Sequence, residues 1–170
     1  MIPVRLATLL AGTPAPPPAP PPPAEAPPAD PNAPVIEAVE PGLWRITVQC
    51  VLGPDPAPGS VTVRLDAAPD PYALPHTGLA RARACQSVAA ARRVKKDYTG
   101  AVSAARAAIE ALGQDYATPG ATDPTKLDLR HAEDAMGQGS PMQGADLYLK
   151  VVAARIGLYQ ERYAGALGPA

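Results

Sequence analysis

The sequence of 170 residues contains few of the residue types that form large cores or chemical sites. Phe is absent, Trp occurs once, and there are two Cys and two His. Two cysteines cannot supply the paired-cysteine spacing of a zinc site or a framework of several disulfides. His76 and His131 lie in separate segments, and no H-x-x-x-H spacing occurs. We therefore predict that the protein binds no metal.

Sequence motifs of catalysis and of cofactor binding are also missing. The sequence has no G-x-S-x-G, no phosphate-binding P-loop and no G-x-G-x-x-G dinucleotide motif. We predict a non-enzymatic protein with no catalytic residue, no cofactor and no small-molecule substrate. No run approaches the roughly 18–20 apolar residues that a bilayer-spanning helix needs, so no membrane span is expected.

Charge is scarce and balanced. Charged residues make up 18% of the sequence and the net charge is −1, which argues against nucleic acid as a partner. One basic cluster stands out, because helical geometry would place Arg92, Lys95 and Lys96 on one side of a predicted helix. Two interpretations remain open for this cluster: an ordinary solvated face, or a surface that binds an acidic partner or phosphate.

Proline, in contrast, is abundant near the start of the chain. Residues 13–34 contain twelve prolines, which exclude helix and sheet and favour polyproline II. At about 3.1 Å per residue the tract would reach on the order of 65 Å, whereas a domain of about 130 residues has a radius of roughly 14 Å. We therefore predict an extended N-terminal arm, residues 1–34, that binds a neighbouring subunit. The apolar residues of its first segment would anchor it: Ile2, Val4, Leu6, Leu9 and Leu10.

Residues 35–76 show the alternation of apolar and polar side chains that is typical of strands with one buried face. The segments LWRITVQCVL (43–52) and SVTVRLD (60–66) both follow this pattern, and VIEAV (35–39) predicts a further strand. We predict a small antiparallel β-meander. Such a sheet is marginal alone and needs a helix or another chain on its apolar face.

Residues 77–170 show helical periodicity. The pairs Asp123-Pro124 and Ser140-Pro141 each place a capping residue before a proline, which is typical of a helix start. The patterns predict helices at about 78–115, 124–136 and 141–164.

The predicted fold class is α+β, with the proline-rich arm, the meander and then a three-helix unit. Within this unit the first and last helices would form a long antiparallel hairpin. Their apolar stripes predict a helix seam or subunit interface at Val102, Ile109, Leu112, Leu149, Val152, Ile156, Tyr159 and Tyr163.

The two cysteines fall on different predicted elements. Cys50 belongs to a strand and Cys85 to the first helix. Three interpretations remain open: two small buried apolar residues, one disulfide that ties the strand to the helix, or reactive thiols.

These features together predict a structural subunit of a large ordered assembly, bound to other protein subunits as a homo- or hetero-oligomer. Chains of this design resemble virion proteins of tailed bacteriophages, such as capsid decoration and head–tail neck or connector proteins. The resemblance implies a location in the virion, assembled in the host cytoplasm.

Two alternatives remain. The segment KLDLRHAEDAMGQGSPMQGADLYLKVVAARIGLYQERYAGAL (126–167) resembles the helical hairpins of TolC-like efflux channels, which implies a cell-envelope protein. The proline tract could instead be the ligand of a domain with an aromatic groove, which implies an adaptor.

Overall fold

The computed structural model describes residues 12–21, 33–50, 52, 57–67, 69–70 and 76–168. A three-stranded antiparallel sheet is followed by four helices, which confirms the α+β prediction. The strands are β1 (Val35–Glu40), β2 (Leu43–Cys50) and β3 (Ala57–Arg64). The helices are α1 (Thr77–Val94), α2 (Tyr98–Leu112), α3 (Lys126–Gly137) and α4 (Pro141–Arg162).

The sheet has the order β1-β2-β3, and each neighbouring pair is antiparallel. Gly42, at φ +77°, forms the tight turn between β1 and β2, a conformation that suits glycine. In β2 and β3 buried apolar side chains alternate with more exposed ones, as the sequence pattern predicts. One face of the sheet is therefore buried against the helices, through Ile46, Val48, Cys50, Val61 and Val63.

The buried face lies against α1, which contacts β2 and β3 on one side and α2 and α4 on others. Gly59 of β3 closely approaches the backbone of α1. A Cβ atom at this position would overlap the carbonyl oxygen of Ala80 and the backbone of Ala84. Glycine on the strand and alanine on the helix thus let the two backbones meet without intervening side chains.

The predicted single helix over residues 78–115 is wrong, because the chain turns at residues 95–97 to give α1 and α2. Lys96 takes a left-handed conformation at φ +62°. The Asp97 carboxylate then caps α2 by accepting a hydrogen bond of 2.9 Å from the Gly100 amide. A side chain at Gly100 would overlap this carboxylate, so Gly100 makes room for the cap.

The last two helices agree closely with the sequence prediction. Ser140 precedes Pro141 at the start of α4, and Gly139 at φ +75° ends the connection from α3. After α4 the chain returns to the sheet. Leu167 bridges to Val63, flanked by hydrogen bonds from Arg64 N–H to Ala166 O and from Gly168 N–H to Thr62 O. The C-terminal segment therefore covers part of the outer edge of β3.

The predicted seam residues lie in the core of this chain. Five are buried and the other three are partly buried against the same cluster. The seam thus joins the helices to each other within one subunit. The buried seam residues are Val102, Leu112, Val152, Ile156 and Tyr159, and the partly buried ones are Ile109, Leu149 and Tyr163.

Replacing Gly59 with Ala should lower the free energy of unfolding by about 1–3 kcal/mol, since the added methyl group overlaps the α1 backbone. Gly157→Ala is the matched control. Gly157 lies in α4 with open space around its missing Cβ, so that substitution should stabilise the helix by up to about 1 kcal/mol. Urea denaturation measures both values. A Gly59→Ala variant as stable as the original would contradict the close approach.

Candidate functional site

The most deeply buried charge of the described residues belongs to Arg155 of α4, which is 5% exposed. Its Nε donates a hydrogen bond of 2.9 Å to Thr125 Oγ1, and its guanidinium lies 4.6 Å from the ring centroid of Tyr116. Asp123 completes the group, with its carboxylate 3.7 Å from Arg155 Nη2. We call Tyr116, Asp123, Thr125 and Arg155 the arginine cluster.

Asp123 accepts hydrogen bonds from three groups of the arginine cluster. They come from the Tyr116 hydroxyl at 2.6 Å, the Thr125 hydroxyl at 2.7 Å and the Thr125 amide at 2.8 Å. Burial acts to raise the pKa of Asp123, but these bonds and the Arg155 charge lower it overall. Burial and the bond to Asp123 raise the pKa of Tyr116. The cluster therefore fastens the α2–α3 connection to α4.

A cavity of about 280 Å³ lies beside the arginine cluster. Arg162 lines it, but its Nη1 donates to the carbonyl oxygens of Asp115 (2.8 Å) and Ala117 (2.6 Å). Arg162 thus already binds the protein's own backbone, and Tyr116 and Asp123, which also line the cavity, are hydrogen-bonded to each other. Their arrangement supports a structural role for the cluster.

A second buried polar group joins the start of α1 to the end of α4. His76 Nδ1 and the Tyr159 hydroxyl are 2.7 Å apart, and the ring centroids of His76 and Tyr163 are 5.2 Å apart. His76 is 6% exposed. Burial lowers its pKa, and the negative charge of Asp115 opposes this only in part.

The structure brings the two cysteines together. Cys50 Sγ of β2 and Cys85 Sγ of α1 are 3.1 Å apart, and both are free, buried thiols. Burial raises the pKa of Cys85 to about 12, and its contact with Cys50 acts in the same direction.

The predicted basic cluster is only partly available to a partner. Arg92 Nη1 donates to Gly100 O at 3.1 Å and Nη2 donates to Leu52 O, so this side chain joins the first helix to its neighbours. Lys95 and Lys96 are exposed at the turn between α1 and α2. An acidic partner for Arg92, Lys95 and Lys96 therefore stays a prediction.

The two edges of the sheet differ. On β3, Arg83 Nη1 donates to Ser60 O at 2.6 Å, and the C-terminal segment binds Thr62 and Arg64. In the part of the chain that the structure describes, β1 pairs with β2 alone, so its other edge is open. Val35 and Val39 of β1 are 55% and 41% exposed. An unpaired strand edge with exposed valines is a surface to which another chain can bind.

The proline-rich arm precedes this open edge in sequence. Residues 12–21 form neither helix nor strand, and each of them is exposed. The predicted anchor residues Ile2, Val4, Leu6, Leu9 and Leu10 lie outside the described residues. The candidate interaction surface is thus the open edge of β1 together with the exposed part of the arm.

Comparison with protein-family models, with curated proteins and with solved structures finds no match for this chain. Among the helices described, none is both long enough and apolar enough to cross a membrane. Within the described ranges, no three His, Cys, Asp or Glu side chains are grouped so as to hold a metal ion.

Sequence reasoning missed both buried polar groups. Arg155 had a recognisable signal, because it interrupts the apolar run between Val152 and Ile156, where a charge must be paired if it is buried. His76 had no such signal. Its partner Tyr159 lies 83 residues away in sequence, so the pair exists only through the tertiary fold.

Arg155→Met should lower the free energy of unfolding by about 3–5 kcal/mol, because it leaves the Asp123 carboxylate buried without its counter-ion. The double variant with Asp123→Asn should lose less than the sum of the single losses. Lys150→Met is the control, since it removes the exposed ion pair with Asp128 and should have a much smaller effect. Chemical denaturation of the four variants gives these values, and additive losses would contradict a coupled cluster.

Stability should fall as the pH drops below about 6.5, the ordinary pKa of histidine. The folded chain holds the pKa of His76 below that value, so the unfolded chain binds the proton first. The loss should level off once the pH is below the folded-state pKa. Urea denaturation between pH 5 and 7.5 measures the slope. His76→Gln should flatten the dependence of stability on pH, whereas the same substitution at the exposed His131 should preserve it. The reverse pattern would contradict the assignment of this dependence to His76.

Proposed function

We propose that the chain is a structural subunit that binds other protein subunits through its N-terminal arm and the open edge of β1. The observation that carries the proposal is the exposure of residues 12–21, each of which is exposed and outside any helix or strand. A proline tract of this composition is stiff and extended, and suits a spacer between its own domain and a second binding point.

The position of the arm supports this role. The arm leads directly into β1, the strand with the open edge. A partner that binds the arm is therefore tethered to the domain that carries Val35 and Val39. Linking two weak contacts in this way raises the overall affinity, because the second contact forms within the same complex.

The edge also carries features that restrict its partners. Glu37 and Glu40 place negative charge on β1, and the pairing with β2 is irregular between Ala38 and Glu40. Charge and a bulge both discourage indiscriminate strand pairing. A partner strand with basic or apolar residues opposite Glu37 would suit this edge best.

We further propose that the assembly is a virion of the tailed-bacteriophage type, with the chain at the capsid or the neck. The support for this step is the design of the chain: a small α+β domain with an open strand edge among the described residues, and the extended arm that the proline content predicts. An arm of this reach suits contacts between subunits whose domains are tens of ångströms apart.

Light scattering with sedimentation velocity tests the role of the arm. The full chain should self-associate at concentrations on the order of 100 µM or below. Removing residues 1–34 should weaken association at least about tenfold, because the second contact is lost. The same result is expected when the five anchor residues are changed to Ser: Ile2, Val4, Leu6, Leu9 and Leu10.

A matched control changes five alanines of the proline tract to Ser and leaves the anchor and the prolines intact. This variant should associate as the unchanged chain does. A full chain that is monomeric throughout the concentration range would contradict self-association through the arm, and an anchor variant that associates normally would contradict the role of the anchor. The control residues are Ala15, Ala19, Ala24, Ala26 and Ala29.

A further inference from the structure

The contact between Cys50 and Cys85 is not used by the proposed assembly role. The two Sγ atoms are 3.1 Å apart. A disulfide bond requires about 2.05 Å, so the sulfur atoms need to approach by about 1 Å. The residues lie on different elements, β2 and α1, and are separated by 35 positions in sequence. Such a small movement is within the reach of side-chain rotation.

We infer that Cys50 and Cys85 form an intramolecular disulfide when the folded chain meets an oxidising environment, and that this bond fastens the sheet to α1. The bond would lie at the interface that Gly59 brings into close contact. Because it closes a loop of about 36 residues, it restricts the unfolded chain and stabilises the folded one. The folded chain would thus exist in a dithiol form and a more stable disulfide form.

The reaction is an exchange with a low-molecular-weight disulfide, such as oxidised glutathione. One cysteine loses its proton, and its thiolate attacks a sulfur of the reagent and releases the first reagent thiol. The second cysteine then attacks the protein sulfur of this mixed disulfide and releases the second reagent thiol. Two electrons pass from the protein sulfurs to the reagent, and the two protons end on the released thiols.

The surroundings of the pair determine how fast it reacts. Both residues line an open groove of about 750 Å³, together with Gln49, Leu52, Arg81 and Glu110. The two residues are 3% and 4% exposed, and the groove gives a reagent its route towards them. The raised pKa of Cys85 keeps that thiol protonated near neutral pH, so exchange should be slow and should become faster as the pH rises.

Equilibration in glutathione buffers tests the inference. After acid quenching, intact mass and peptide mapping should show a loss of two hydrogens and a peptide pair linked through Cys50 and Cys85. The equilibrium constant for forming the disulfide should be greater in the folded chain than in the chain unfolded in urea, by a factor on the order of a few hundred. The oxidised chain should also melt at a temperature roughly 10 °C higher than the reduced chain.

The variants Cys50→Ala and Cys85→Ala are the controls, with circular dichroism to verify that each is folded. Neither can form the intramolecular bond, so neither should show the rise in melting temperature in the oxidising buffer. Two outcomes would overturn the inference. In one, the unchanged chain ends as mixed glutathione adducts or intermolecular dimers at equilibrium. In the other, the equilibrium constant for forming the disulfide is equal with and without urea.

Discussion

The contact of Gly59 with the backbone of α1 is the constraint on which the rest of the structure depends. This contact brings the sheet close enough to α1 for the valines of β2 and β3 to reach the alanine-rich face of the helix. Helix α1 in turn contacts α2 and α4 on its other sides. A wider separation would leave small alanine side chains unable to fill the space between sheet and helices, at a cost that grows with cavity volume.

An alanine-rich core buries little apolar area per residue, so directional contacts contribute much of the specificity. The arginine cluster holds the α2–α3 connection on α4, and His76 joins the start of α1 to Tyr159 near the end of α4. The C-terminal segment then adds hydrogen bonds to β3. Each of these contacts joins parts of the chain that are distant in sequence, so α4 and its extension are fastened at several points.

Much of this fold could be predicted from local pattern. The alternation in β2 and β3, and the proline starts near residues 124 and 141, give the strands and the last two helices within a few positions. The division between α1 and α2 was missed, because the apolar stripe continues across it. Val88 and Val102 belong to the same core although they lie on different helices. A local signal for the start of α2 was present, because Asp97 lies three positions before Gly100. The Asp97 carboxylate caps the helix, and the absent side chain of Gly100 leaves space for it.

The candidate site was harder to predict, because it depends on which groups the fold brings together or leaves uncovered. The sequence places Cys50 and Cys85 on different elements, but it does not show that their sulfur atoms are in contact, because this contact arises from the packing of β2 on α1. Arg92 was assigned to a basic face, yet it donates to the carbonyls of Leu52 and Gly100. Among the described residues, the open edge of β1 likewise follows from strand order, since β3 is covered by the C-terminal segment.

The central claim is that the arm binds a neighbouring subunit and not its own domain. Cross-linking from a photoreactive group at position 6, in oligomers mixed from ¹⁴N- and ¹⁵N-labelled chains, tests this claim most directly. The account predicts cross-linked peptide pairs that combine both labels in the proportion set by mixing. Pairs that carry a single label throughout would show that the arm binds its own chain and would contradict the account.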